Sequence, residues 1–469
     1  MLFMVDVALF GYIPFVFWLF AAMRDKRQAM IWSVLLGVLF LPIAGYKVTG
    51  LPQYDKISAV NMVPFLAAVL FDWPRVSRLR PRWFDLPVII FCFAPLFSSL
   101  SNDLGLYDGI SEVLNHAPAW GPCYFLGRIY CADLAGLRAL AIAFIAGGLI
   151  YVPFCLYEIR MSPQFHCLVY GYHQHNILQQ MRYDGFRPMV FMQHGLAVSL
   201  WMVCCSMIGI ILWRTKAITQ LWGLPISWWV VPLTITAFMC KSLGAILIMV
   251  FGLLAFYIMK VAKYRIIIFI LVLVPPIYMA GRLTGVIDRT QVTTFMTEQF
   301  GQERSQSLDS RMEQEDLFSA KVMSRPIFGW GGWGRSWPTD ENGNNITRGL
   351  DSLWVMFLGC TGFTGLISMT LMFLTPGILM LKRGTAALWT HPAGAAAGAM
   401  STILIMYMID NLFNAMQNPM YLVAAGAVNG WVMQAAVPAD EAAMQPVLTA
   451  RAAKSPASLR SSPRGQPAT

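Results

Sequence analysis

A chain of 469 residues that is 57% hydrophobic and only 12% charged cannot hide its apolar surface as a soluble globule, and it lacks the alternating pattern of an outer-membrane barrel. Apolar runs of about 20 residues, long enough to cross a bilayer as a helix, recur along nearly the whole chain. They predict an all-α, polytopic integral membrane protein. The net charge of +10 does not point to nucleic acid, because Lys and Arg sit in short clusters between apolar runs, as orienting loop charges do.

The first run, 2–22, has no basic residue before it and RDKR after it, which predicts a membrane helix and not a cleaved leader. Further spans are expected at 29–46, 57–72, 85–101, 108–126, 138–157, 190–212, 221–239, 243–259, 266–280, 352–380, 394–413 and 418–436. The fifth is interrupted by Asn115, His116, Pro118 and Pro122. With it the chain has thirteen helices and an outer N-terminus; without it there are twelve, and either the N-terminus is inside or every later helix inverts. The expected domains are a helical membrane domain at 1–436, holding outer loops at 158–189 and 281–351, and a tail at 437–469. That tail is rich in Ala, Pro, Ser and Arg without apolar period, so it is expected to be disordered and cytoplasmic.

Orientation follows from the basic residues. On this assignment twenty lie in cytoplasmic breaks and the tail, against six in the short outer breaks. The eight in the long loop carry no weight, because long loops translocate largely regardless of charge. The 281–351 and 158–189 loops therefore share the non-cytoplasmic side. The nine cysteines show no CxxC or Cys/His zinc spacing, and Cys92, Cys155, Cys204, Cys205 and Cys360 lie in apolar runs as core residues.

Within the long loop, Ser310 and Glu313 have capping-box spacing and Arg311 to Glu315 is an i,i+4 pair, which predicts a short amphipathic helix over 310–324. It should stop before Pro326. The GWGGWG that follows fits G-x-G-x-x-G at Gly329, Gly331 and Gly334, but no strand precedes it, so a dinucleotide site is rejected. Its glycines allow close backbone approach to a ligand, and Trp330, Trp333 and Trp337 suit either sugar rings or the headgroup level of the membrane.

Arg182 and Arg187 close the smaller loop just before a helix. A guanidinium fork suits phosphate, so they are candidates to grip a lipid pyrophosphate or to anchor lipid headgroups. Lys241 either snorkels to the interface or points into a polar cavity. His166, His173, His175 and His194 cluster near the arginines without carboxylates or cysteines at ligand spacing, so no metal or other cofactor is expected. Asp351, where the loop re-enters the membrane, fits either a helix cap or a general base. Asp410, with Asn411 and Asn414, lies near the outer end of the penultimate helix, where an acid usually has a polar partner or a function.

In their order, RYDGFRPMVFMQHG, KSLGA, SRMEQEDLFSAKVMSRPIFGWGGWG and DSLWVMFLGCTGFTGL resemble the O-antigen ligase and Wzy-type polysaccharide polymerase superfamily over residues 182–430. The resemblance implies glycan transfer at the periplasmic face of the bacterial inner membrane from an undecaprenyl-pyrophosphate-linked oligosaccharide. Membrane lipid and a chain-length regulator or other polysaccharide-assembly proteins would be its partners. Carried over, Arg187, Arg182 and Arg311 would stabilise the pyrophosphate leaving group, with Lys241 and Arg325 adding positive charge and Trp330 and Trp333 facing substrate. Ligases of the family carry histidine where this chain has Asp351, which favours a polymerase over a ligase. A lipid-linked glycan flippase is the rival of another class; it should place ionisable residues near the midplane, whereas here they lie mostly at helix ends.

Overall fold

The structure, a computed structural model, describes residues 3–47, 52–182, 185–342, 344–346, 349–383 and 386–434. The tail expected at 437–469 lies outside the described residues. In chain order the helices are α1 (Phe3–Ala22), α2 (Lys26–Phe40), α3 (Lys56–Phe71), α4 (Trp73–Val76), α5 (Leu86–Ser101), α6 (Gly105–Trp120) and α7 (Pro122–Tyr130). The middle of the chain adds α8 (Leu134–Met161), α9 (Phe165–Tyr170), α10 (Gly195–Arg214), α11 (Ser227–Met239), α12 (Leu243–Ala262) and α13 (Ile266–Leu283). The last are α14 (Arg289–Phe300), α15 (Gln302–Val322), α16 (Leu353–Arg383), α17 (Ala386–Thr390), α18 (Ala395–Asp410) and α19 (Pro419–Gln434). Among the described residues three antiparallel pairs supply the two-residue strands: β1 (Gly45–Tyr46) with β2 (Tyr54–Asp55), β3 (Met181–Arg182) with β4 (Gly185–Phe186), and β5 (Gln220–Leu221) with β6 (Leu224–Pro225).

Among the described residues, seven helical stretches are long and apolar enough to cross a bilayer, namely α1, α5 with its lead-in at Trp83, α8, α10, α12, α13 and α16. The shorter α3, α11 and α18 are also apolar. The protein is an all-α, multi-pass membrane protein. Helix starts are where side-chain acceptors stand: Asp25 takes the Arg27 amide, Asp55 the Ser58 amide, Asp133 the Gly136 amide, and His194 the Leu196 amide. Several helices are shorter than the apolar runs that contain them. Helix α2 ends before Pro42, and α11 begins only after the hairpin that turns through Gly223 at φ +80°.

Contacts between helix ends fall into two groups. At one end Arg27 donates to the Tyr130 carbonyl at 2.7 Å, Arg128 pairs with Asp85 at 3.1 Å, and Arg265 reaches the Leu381 carbonyl at 2.8 Å. At the other, Lys56 donates to the Leu41 and Phe191 carbonyls at 2.8 Å, and the Leu353 amide meets the Asn414 carbonyl at 3.3 Å. The 281–351 and 158–189 loops both belong to this second end.

The run expected to be one helix over 108–126 is two. Helix α6 carries Asp108, Glu112 and His116 along one face, and α7 restarts after Gly121 with Pro122. Helix α6 touches the long loop, whereas Tyr130, at the end of α7, contacts Arg27 and Asp72. The pair therefore joins the two ends. Helix α7 packs closely on α19: a side chain at Gly127 would strike the Val423 carbonyl, and one at Gly426 the Tyr124 carbonyl.

Candidate active site at the loop-bearing end

The long loop is mostly helical. Helices α14 and α15 lie side by side, tied by two bonds from Arg289 to Asp309 at 2.6 and 2.7 Å. Helix α15 starts at Gln302, eight residues before the expected start, so Ser310 and Glu313 sit inside it and do not cap it. The expected Arg311 to Glu315 pair gives way to tertiary partners, because Glu315 turns inward. Its carboxylate is fully buried and accepts from Arg282 Nε at 2.9 Å, Tyr278 at 3.0 Å, Ser352 at 3.1 Å and the Trp354 indole at 3.2 Å. Burial pushes the Glu315 carboxyl above its usual range, and Arg282 pulls the other way. Arg282 also donates to the Ile287 and Met312 carbonyls and to Asp316.

With Glu315 fixed, Arg311 one turn earlier faces the mouth of α16. It approaches Asp351 at 3.7 Å and is a charged neighbour of Asp410. Helix α16 begins at Leu353, so the capping position belongs to Ser352 and Asp351 stands one residue outside, 58% exposed. Its amide donates to Gln314 Oε1 at 3.1 Å. The cap reading of Asp351 is thereby replaced by an exposed carboxylate beside a guanidinium.

The smaller loop is organised by Glu158, a fully buried acid in the last turn of α8. One carboxylate oxygen accepts the Gln164 and Phe165 amides and the other the Met189 and Val190 amides, at 2.8–3.0 Å. This clamp fixes the chain just after Arg187. Arg187 is 7% exposed, and its Nη2 donates to the Lys241 carbonyl at 3.2 Å. Its stem runs over Gly195, where a Cβ would come within 2.5 Å of Cδ. Lys241 holds a left-handed φ of +53°, and its Nζ lies against Gly185 in the β3–β4 hairpin. Arg187 and Lys241 thus form a cationic centre, and Arg311 with Asp351 forms an ion pair. The side chain of Arg182 lies outside the description.

The histidines have separate structural tasks. His166 bridges the Ile43 amide and the Tyr172 carbonyl, His194 caps α10, and Gln180 meets its Nε2 at 3.0 Å. Among the described residues no three His, Cys, Asp or Glu side chains converge as metal ligands.

GWGGWG is a helix-docking device. Helix α16 breaks at Gly362, φ +64°, and the loop inserts there: the Trp330 and Gly331 amides donate to the Gly359 and Cys360 carbonyls, and the Phe363 amide to Pro326. A Cβ on Gly329, φ +71°, would come within 2.6 Å of the Gly362 amide nitrogen. The close approach expected toward a ligand is made to backbone instead. Trp330 has Lys321 and Arg325 over its ring at 5.2 and 4.9 Å, and the exposed Arg325 donates to the Ser101 carbonyl at 3.2 Å. Arg335 pairs with Asp108 of α6 at 3.0 and 3.1 Å. The side chain of Trp333 lies outside the description.

Residues 411–418 relate these two groups. Asn414 receives the Leu353 amide, and the Gln193 amide group, six residues from Arg187, reaches Met416 Sδ at 3.6 Å. Asp410 is buried and accepts from Asn414 at 2.9 Å. Beside this segment, roofed by Gly331 and Gly332 and walled by α5, α6 and α16, lies a cavity of about 290 Å³. Sequence reasoning missed Glu158, Arg282, Glu315 and the polar face of α6. Glu158 and Arg282 carried a signal, a charge at the end of an apolar helix, which more often has a partner than none. Chemically, this end of the molecule offers fixed cations for an anionic group and an exposed carboxylate for a proton. Comparison with protein-family models and with curated protein sequences finds no match for this chain.

Proposed function

We propose that this protein polymerises undecaprenyl-pyrophosphate-linked repeat units into O-antigen or exopolysaccharide at the periplasmic face of a bacterial inner membrane. In this reading the chain crosses thirteen times, with α6 and α7 counting as one crossing and the loop-bearing end facing the periplasm. The observation that carries it is the Arg311 and Asp351 pair at the mouth of α16, on the same end as Arg187 and Lys241.

An acceptor sugar hydroxyl attacks the anomeric carbon of the donor glycan. The new C–O bond forms as the bond to the pyrophosphate oxygen breaks, and its electron pair leaves with the pyrophosphate. Asp351 takes the hydroxyl proton, and Arg187, Lys241 and Arg311 meet the negative charge developing on the leaving group. The resemblance to the ligase and polymerase superfamily supports glycan transfer, and the carboxylate at 351, where ligases carry histidine, favours polymerisation over transfer to a lipid acceptor.

The test is a gene deletion in the host, complemented with wild type, Arg187→Ala or Arg311→Ala, with surface glycan resolved on a gel. Single short repeats in the deletion and in both variants support a polymerase. Long chains left on the carrier lipid point instead to a ligase, and repeats stranded on the inner leaflet to a flippase. Normal chain lengths in both arginine variants would remove the pyrophosphate clamp.

A further inference from the structure

The cavity between α5, α6, α16 and residues 411–418 is set apart from the Arg187 and Arg311 groups by its chemistry. Its volume of about 290 Å³ lies at the lower end of small-molecule sites, roughly 300 Å³. The rings of Trp120 and Phe357 form one wall, meeting edge to face at 5.4 Å. Glu112, His116 and Gln417 bring acceptors to its lining. Glu112 presents a carboxylate, and its Oε1 lies 3.3 Å from where a Cβ of Gly332 would stand. His116 Nε2 is buried and has no hydrogen-bond partner among the described residues. Gln417 commits its amide nitrogen to the Ala119 carbonyl at 2.8 Å, which leaves its oxygen to offer. The neighbouring cation, Arg335, is held by both oxygens of Asp108.

A cavity whose lining carries one carboxylate and no Lys or Arg disfavours phosphate and accepts from hydroxyls. Aromatic walls suit the C–H face of a sugar ring. Leu353, two residues from Asp351 in the chain, also lines the cavity.

We propose that this cavity is the acceptor subsite. It takes the terminal sugar of the acceptor glycan, uncharged or basic and rich in free hydroxyls, with Glu112 and His116 accepting from those hydroxyls. The inference rests on the polymerase reading and divides its substrates: pyrophosphate to the arginines, acceptor sugar to the α6 side.

The experiment uses full-length protein in lipid nanodiscs. The probe is the lipid-free oligosaccharide released by mild acid from the host's own surface glycan, and binding is measured by calorimetry and by saturation-transfer NMR. Wild type and Arg187→Ala should bind alike. Glu112→Gln keeps the shape, removes the charge and should weaken binding by about tenfold or more; His116→Phe should weaken it similarly. Absence of binding by wild type, or equal binding by both α6 variants, overturns the subsite. Quenching of Trp120 fluorescence by a brominated phospholipid, judged against Trp120→Phe, overturns it in favour of a lipid site. The two proposals fail separately. Normal surface chain lengths in the deletion strain remove the polymerase reading, whereas oligosaccharide binding lost in Glu112→Gln would still mark a glycan site.

Discussion

Arg282, at the end of α13, and Glu315, in the middle of α15, meet at 2.9 Å with both side chains buried. This pair, with Ser352 and Trp354 donating to the same carboxylate, locks the long loop to the entrance of α16. Removing one member of a buried, fully bonded pair strands the other and costs about 3–5 kcal/mol. Glu315→Gln should therefore lower thermal stability of the purified protein and raise hydrogen exchange in α15. Unchanged exchange there would mean that α15 is held by other contacts.

The two ends of GWGGWG should differ in tolerance. Gly329 needs a positive φ and meets backbone within 2.6 Å, whereas a Cβ at Gly334 would meet nothing within 4 Å. Gly329→Ala should destabilise the protein by about 1–3 kcal/mol or more, from strain and displaced backbone. Gly334→Ala should leave folding intact. Equal tolerance in a thermal-shift measurement would return the motif to a ligand-facing role.

Asp351 is exposed and 3.7 Å from Arg311, so the ion pair itself adds at most about 1 kcal/mol to stability. Asp351→Asn should preserve stability and insertion while lowering chain growth by roughly 10²–10⁴-fold, the range for loss of a general base. Single-turnover transfer in membranes measures this. A fully active variant would assign the base elsewhere.

Pairing of α14 with α15 should be sensitive to acid. The Arg289 guanidinium holds the Asp309 carboxyl below its usual range, so this contact contributes above the unfolded carboxyl pKa of about 3.9. It is lost as pH falls below that value through the lower folded pKa. A distance label across α14 and α15 should therefore report separation below about pH 4 in wild type. Arg289→Gln should show no such step, and an identical step in both proteins would point to other carboxylates.

The sequence by itself determined that the chain is a helical membrane protein, placed most helices within a few residues, and singled out Arg187, Lys241, Arg311 and Asp351. Those signals are local: twenty-residue apolar runs, charges in the breaks and Pro at helix ends. Tertiary structure decided what local pattern cannot contain. An i,i+4 pair such as Arg311 and Glu315 is worth about 0.2–0.5 kcal/mol, so the four donors waiting for Glu315 override it and send Arg311 to Asp351. A glycine's positive φ can serve a ligand or a neighbouring backbone, and only the break in α16 at Gly362 shows which. Helix α6 was legible as an interrupted span, but the cavity beside it depends on α16 and residues 411–418, more than 200 positions away.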